Sequence, residues 1–140
     1  YGQKTNGGWY TYEGGSRKGT PEPEIEAMIL KTSEEMGVER REFSDVEILE
    51  RYLYAIINTG AMVLEEGLAI RSSDIDVIWN FGYGFPRYWG GPMFAADLIG
   101  LPKILDKVSE LHGEYGDWLK PSPLLKSLAE EDKGFGDFKG

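Results

Sequence analysis

The chain has no cysteine and a single histidine, His112, in 140 residues. The first absence excludes a disulfide framework and any thiolate chemistry. Together they argue against a transition-metal site, which draws on imidazole and sulfur ligands. Positive charge is scarce: 15 Lys and Arg stand against 24 Asp and Glu, a net charge of −9 at pH 7. Such a chain repels phosphate backbones, so no nucleic-acid partner is expected. Long apolar runs are lacking too. The longest, "YLYAIINTGAMVL" (residues 52–64), falls short of the roughly 20 residues that span a bilayer, and it holds Asn58, Thr59 and Gly60. It reads as a buried core helix with no membrane span. No signal-peptide pattern opens the chain. It begins at Tyr1 rather than Met and reads as a piece cut from a longer protein.

Hydrophobic residues make up 41% and charged residues 28%, a globular balance in a chain of one-domain length. Glycine is plentiful, with 19 copies, and divides the chain. Residues 1–20 carry repeated Gly and no apolar period, and read as a lead-in or linker in which "GGWYTY" forms a short strand or a docking arm. A helical domain is expected over 21–130 and a flexible glycine-bearing tail over 131–140.

The helix signals are local. Pro21 and Pro23, with Glu22, Glu24 and Glu26, suit a first helix that stops at Gly37, with an apolar stripe at Ile25, Met28, Ile29 and Met36. "SDVE" (Ser44–Glu47) is a capping box that opens a helix of about 22 residues closing at Gly67. This helix is expected as the central spine, apolar on most of its girth, with Gly60 and Ala61 admitting a close neighbour. "SSDIDVIWNFG" is a third helix, capped by Ser72 or Ser73, with Asp74 and Asp76 in its first turn. Pro92 starts a fourth and Pro102 a fifth, ended by Gly113; "SPLLKSLAEE" is a sixth. The expected fold is all-α: about six helices around one long central helix.

Between the third and fourth helices lies "WNFGYGFPRYWGGPMF" (residues 79–94). A glycine-rich turn before a helix can cradle phosphates, but a nucleotide loop follows a strand. This stretch follows a helix, lacks a Lys-Ser/Thr pair, and has Arg87 where G-x-G-x-x-G needs its third glycine. The reading preferred is a rigid corner whose rings plug into the core. His112 sits in the last turn of the fifth helix, where a cation suits the dipole, and reads as a surface histidine. The clusters "SRK" (residues 16–18) and "ERRE" (residues 39–42) could hold an anion, although the second is charge-balanced. No catalytic, cofactor-binding or metal-binding residue is assigned.

"EILERYLYAIINTGAMVLEEGLAIRSSDIDVIWNFGYGFPRYWGGPMFAADLIGLPKIL" (Glu47–Leu105) closely resembles the last domain of the peroxisomal-type multifunctional enzymes of fatty-acid β-oxidation. "GQKTNGGWYTYEGGSRKGTPEPEIEAMI" (Gly2–Ile29) resembles the segment between their two dehydrogenase C-terminal domains; the match is looser from about residue 120 onward. These enzymes join enoyl-CoA hydratase to NAD-dependent 3-hydroxyacyl-CoA dehydrogenase. The resemblance implies that this chain is the second of two helical copies, taking the place that a partner subunit holds in monofunctional members. It implies as partners the preceding helical domain and the nucleotide-binding domain, with acyl-CoA met only indirectly. NAD belongs to the parent enzyme and is not expected on this chain. The family's catalytic His lies in an "HPxxP"-like motif of the nucleotide domain, absent here. Where the catalytic copy places Asn-Arg, this chain has Glu50-Arg51, which fits a structural copy. The rival reading has Phe85, Arg87 and Trp89, in the 82–94 corner, line part of the substrate cleft. The chain ends "FKG" rather than on a Ser-Lys-Leu type tripeptide, so a bacterial cytoplasm and a peroxisome both stay open for a soluble intracellular protein. Cut from its parent, the chain is expected to expose an apolar face and pair as a homodimer.

Overall fold

The structure, a computed structural model, describes residues 2–14 and 16–139. It divides into two compact units, Tyr1–Phe43 and Ser44–Gly140.

In the first unit, β1 (Tyr10–Thr11) pairs antiparallel with β2 (Thr20–Pro21), so "GGWYTY" does supply a short strand. Helix α1 (Pro23–Glu35) starts with Pro in its first turn beside Glu24 and Glu26. It ends just before Gly37, whose φ of 66° turns the chain away. None of the described residues of this unit is buried. The expected stripe is present but covers nothing: Met28, Ile29 and Met36 are exposed and Ile25 is half-buried.

The second unit is all-α, as the helix signals predict. Helix α2 (Asp45–Glu65) is its axis, in contact with α3 (Ser72–Gly82), α4 (Pro92–Ile99), α5 (Leu101–Tyr115) and α6 (Pro123–Glu130). Ser44 Oγ accepts from the Glu47 N–H at 3.2 Å and so starts α2. The core joins Ile57 and Leu64 of α2, Met93 of α4, Ile104 and Val108 of α5 and Leu125 of α6. Gly60 is needed where α4 crosses: a Cβ there would lie 2.5 Å from Met93 Sδ. Asn58, buried mid-helix, donates to the Lys120 carbonyl at 2.9 Å and accepts from the Ser122 N–H at 2.8 Å. The apolar run that includes Asn58 is thus a core helix clamped to the loop before α6. Among the described residues no helix is long and apolar enough to cross a membrane.

The apolar girth of helix α2 is covered only in part: Val46, Leu49 and Tyr52, in its first half, are exposed. Three local expectations need correction. Helix α3 is not capped by Ser72 or Ser73. Arg71 takes the cap position, and Asp74 Oδ2 accepts its N–H at 3.1 Å while Oδ1 holds its guanidinium at 2.9 Å. Helix α5 runs through Gly113, at a cost of about 1 kcal/mol relative to Ala, and turns at Gly116, where φ is 90°. Beyond α6, the segment read as a tail sends Phe135 into the core, 1% exposed. Asp97 of α4 accepts from the Phe135 and Gly136 N–H groups at 2.6 and 2.9 Å.

Candidate functional site: the aromatic corner and its cleft

The corner between α3 and α4 is built from the two helix ends inward. Trp79, in the last turns of α3, accepts the Phe85 N–H at 3.0 Å through its carbonyl. Residues Arg87–Trp89 make one 3-10 turn, closed by Gly90 at φ 77°. Asn80 Nδ2 reaches across to the Gly90 carbonyl at 2.8 Å. Gly91, at φ 128°, then leads into Pro92.

The N-terminus of α4 is where a phosphate would sit if this corner cradled one. It is already filled. Asp76, buried on α3, accepts from the Met93 N–H at 2.7 Å and the Phe94 N–H at 3.2 Å. Burial pushes its carboxyl above the usual range; the two N–H bonds pull it down, and Asp97 pushes it up. The approach is tight: a Cβ on Gly91 would collide with the Asp76 carboxyl. A second anion would find the Met93 and Phe94 N–H groups taken and would meet a carboxylate. The residues present therefore do not fit the pyrophosphate of NAD. Asp76 read from sequence as a first-turn acid of its own helix; it caps the next one.

The expected plug of rings forms only in part: Trp79 and Phe85 pack against the core. Phe85 is half-buried and meets Trp79 edge-on, ring centroids 6.5 Å apart. Trp79 also lies 4.9 Å from Tyr83. The other rings face outward: Phe81 and Tyr83 are each 71% exposed and Tyr88 85%. With these rings turned out, the corner walls a cleft. The cleft holds about 310 Å³ and lies between Leu49, Tyr52 and Leu53 of α2 and the corner's Tyr83, Phe85 and Trp89. Of the three candidate substrate residues, Phe85 and Trp89 share this lining. Arg87 does not; its guanidinium lies over the Phe81 ring at 4.7 Å.

His112 Nε2 lies 3.0 Å from Asp117 Oδ1, not beside Glu110 or Glu114, and holds that exposed carboxyl below the usual range. Glu50 and Arg51 are engaged in ion pairs: Arg51 with Glu47 at 2.9 Å, Glu50 with Lys103 at 3.8 Å. Arg51 also stacks on Tyr115 at 4.6 Å. Among the described residues no three His, Asp or Glu side chains gather closely enough to hold a metal.

Comparison with known proteins bears on this arrangement. The profile of the family described as "3-hydroxyacyl-CoA dehydrogenase, C-terminal domain" matches residues 48–136, which take in most of α2, all of α3 to α6, the corner and Phe135. The chain belongs to that family. As a 3-hydroxyacyl-CoA dehydrogenase C-terminal domain it is similar to the peroxisomal bifunctional enzyme of Danio rerio, 43% identical over 131 residues, which are 91% of this chain and 18% of that protein. It is 40% identical to the peroxisomal bifunctional enzyme of Homo sapiens over 134 residues, 94% of this chain and 18% of that protein. It is 37% identical to the glyoxysomal fatty acid beta-oxidation multifunctional protein MFP-a of Brassica napus over 128 residues, 89% of this chain and 18% of that protein. The chain thus spans 18% of the length of these relatives. Within the domain, the family match ends one residue past Phe135, at the pair of amides that Asp97 holds.

Proposed function

We propose that this domain is an architectural module of a multifunctional fatty-acid β-oxidation enzyme. In that parent it supports NAD-dependent oxidation of 3-hydroxyacyl-CoA by packing on the preceding helical domain, and it carries no catalytic group of its own. The compartment proposed is the peroxisome, by likeness to relatives so named. One observation carries the reading: the open aromatic cleft beside α2. Tyr and Trp with apolar walls are what protein interfaces enrich, whereas a monomer's free surface rarely gathers them. The tyrosines project amphipathic rings that a partner surface can desolvate.

A second reading rests on the same cleft. Its apolar walls suit an acyl chain, with Phe85 and Trp89 as lining; Arg87, over the Phe81 ring, is not part of that lining. The two readings separate in the kinetics of the full-length protein. Tyr83→Glu with Tyr88→Glu places two charges in the proposed interface; losing two aromatic anchors costs about 2 kcal/mol or more. The dehydrogenase kcat should then fall on the order of tenfold or more, with hydratase activity kept. Phe85→Ala should leave the KM for 3-hydroxyacyl-CoA unchanged. A raised KM with kcat intact would favour the substrate-cleft reading, and unchanged kinetics in the double variant would refute the architectural one.

A further inference from the structure

The chain has three asparagines, at positions 6, 58 and 80, and their surroundings differ. Asn58 is buried, with both ends of its amide bonded, to the Lys120 carbonyl and the Ser122 N–H. β-Branched Thr59 follows it. Asn80, on α3, donates to the Gly90 carbonyl at 2.8 Å, and Phe81 follows it. Asn6 is exposed and is followed by Gly7, and among the described residues no hydrogen bond holds its side-chain amide. Its backbone ends the short turn Gln3–Thr5 in the left-handed region, φ 56° and ψ 9°, which Asn enters more readily than most residues. The peptide group after it is tied through the Asn6 carbonyl, which accepts the Tyr12 N–H at 3.2 Å. One residue on, the Gly7 carbonyl accepts the Gly2 N–H at 2.7 Å. No buried side chain backs these bonds, because none of the described residues of the first unit is buried. Such a segment opens at little cost.

We infer that Asn6–Gly7 is a site of spontaneous covalent modification, at which the asparagine is converted to aspartyl and isoaspartyl forms. Water is the only co-reactant. When the turn opens, the peptide group after Asn6 rotates and the Gly7 nitrogen attacks Asn6 Cγ. The new N–Cγ bond closes a five-membered succinimide; the Cγ–Nδ2 bond breaks, and the side-chain nitrogen takes up the proton that Gly7 loses and leaves as ammonia. Water then adds to one of the two ring carbonyls. Breaking the bond from nitrogen to Cγ gives aspartate, and breaking the bond from nitrogen to the main-chain carbonyl carbon gives isoaspartate. One water is consumed, one ammonia is released, and no atom is oxidised or reduced. Glycine favours the attack because it has no Cβ to crowd the nucleophile, whereas the stiff branch of Thr59 and the ring of Phe81 crowd it at the other two sites. Either product adds a negative charge to a chain of net charge −9. Isoaspartate also lengthens the main chain by one carbon, so the Gly2–Gly7 and Tyr12–Asn6 bonds cannot both re-form in their present register.

Incubation of the 140-residue chain at mildly alkaline pH, followed by peptide mapping in a mass spectrometer, tests this. Asn6 should convert at a rate within about tenfold of that in a free peptide of residues 2–12, since opening the turn costs little. Fragmentation should find both aspartate and isoaspartate at position 6. Asn58 and Asn80 should keep their amides over the same period. Gly7→Val should lose the conversion with the circular dichroism spectrum unchanged. Gly7 is not at positive φ, and a Cβ there would meet nothing within 4 Å, so the folded chain accepts the side chain. Asn6→Gln, which would need a six-membered ring, should stay amidated as well. An Asn6 that survives in the chain while the free peptide converts overturns the site. Conversion at Asn58 or Asn80 as fast as at Asn6 overturns its selection by structure. A Gly7→Val chain that converts as fast as the wild type overturns the attack by the Gly7 nitrogen.

Discussion

Asp76 fills the place at the start of α4 that an external anion would otherwise take, and this one side chain explains why a glycine-rich corner is not a phosphate loop. Gly91 is its counterpart, since its φ of 128° and the carboxyl against it leave no room for a Cβ. Asp76→Ala should cost about 1–2 kcal/mol, the usual loss for a helix cap, while Asp76→Asn keeps one acceptor and should lose less. The pH response has a definite sign. The folded carboxyl titrates above its unfolded value, mainly through burial. Its contribution is therefore fully present below the unfolded pKa and is lost as pH rises through the raised folded one. Across that window the melting midpoint of the wild type, relative to Asp76→Asn, should fall as pH rises. Thermal melts of both proteins in a pH series check this, and a difference that grows with pH would contradict it.

Among the elements, the helices announce themselves locally. Proline in the first turn, a Ser cap and apolar residues at helical spacing mark α1, α2, α4 and α6 within one turn of their ends. What could not be read are the ties that topology supplies. Asp76 meets Met93 across 17 positions, Asp97 meets Phe135 across 38, and Asn58 meets Ser122 across 64. Local rules compare residues within about four positions, so these three read as a first-turn acid, an unremarked acid and a polar break. The corner was legible only in part for a related reason: a turn has no period, so its composition cannot say that Trp79 and Phe85 turn to the core while Phe81, Tyr83 and Tyr88 face out. The C-terminal element shows the energetic consequence. Phe135 looks like part of a glycine-rich tail, yet it is as buried as Ile57 and Leu64, the core residues of α2. Phe135→Ala should destabilise the domain by about 3–5 kcal/mol, measured by denaturant unfolding. A change near zero would mean that the segment after α6 does not hold the core.

At the scale of the whole molecule, buried helices and exposed rings belong to one design. A five-helix core around α2 closes on itself, while Leu49, Tyr52, Tyr83 and Tyr88 stay open on one side. These side chains lie side by side and exposed, and the proposed reason is contact with the remainder of a longer enzyme. Separated from that remainder, the surface should find itself. Sedimentation velocity of the 140-residue chain over a concentration series is the most direct measurement. The account predicts reversible association towards a dimer, abolished by Tyr83→Glu with Tyr88→Glu while the circular dichroism spectrum is unchanged. A chain that stays monomeric at every concentration, or a double variant that associates like the wild type, would contradict it.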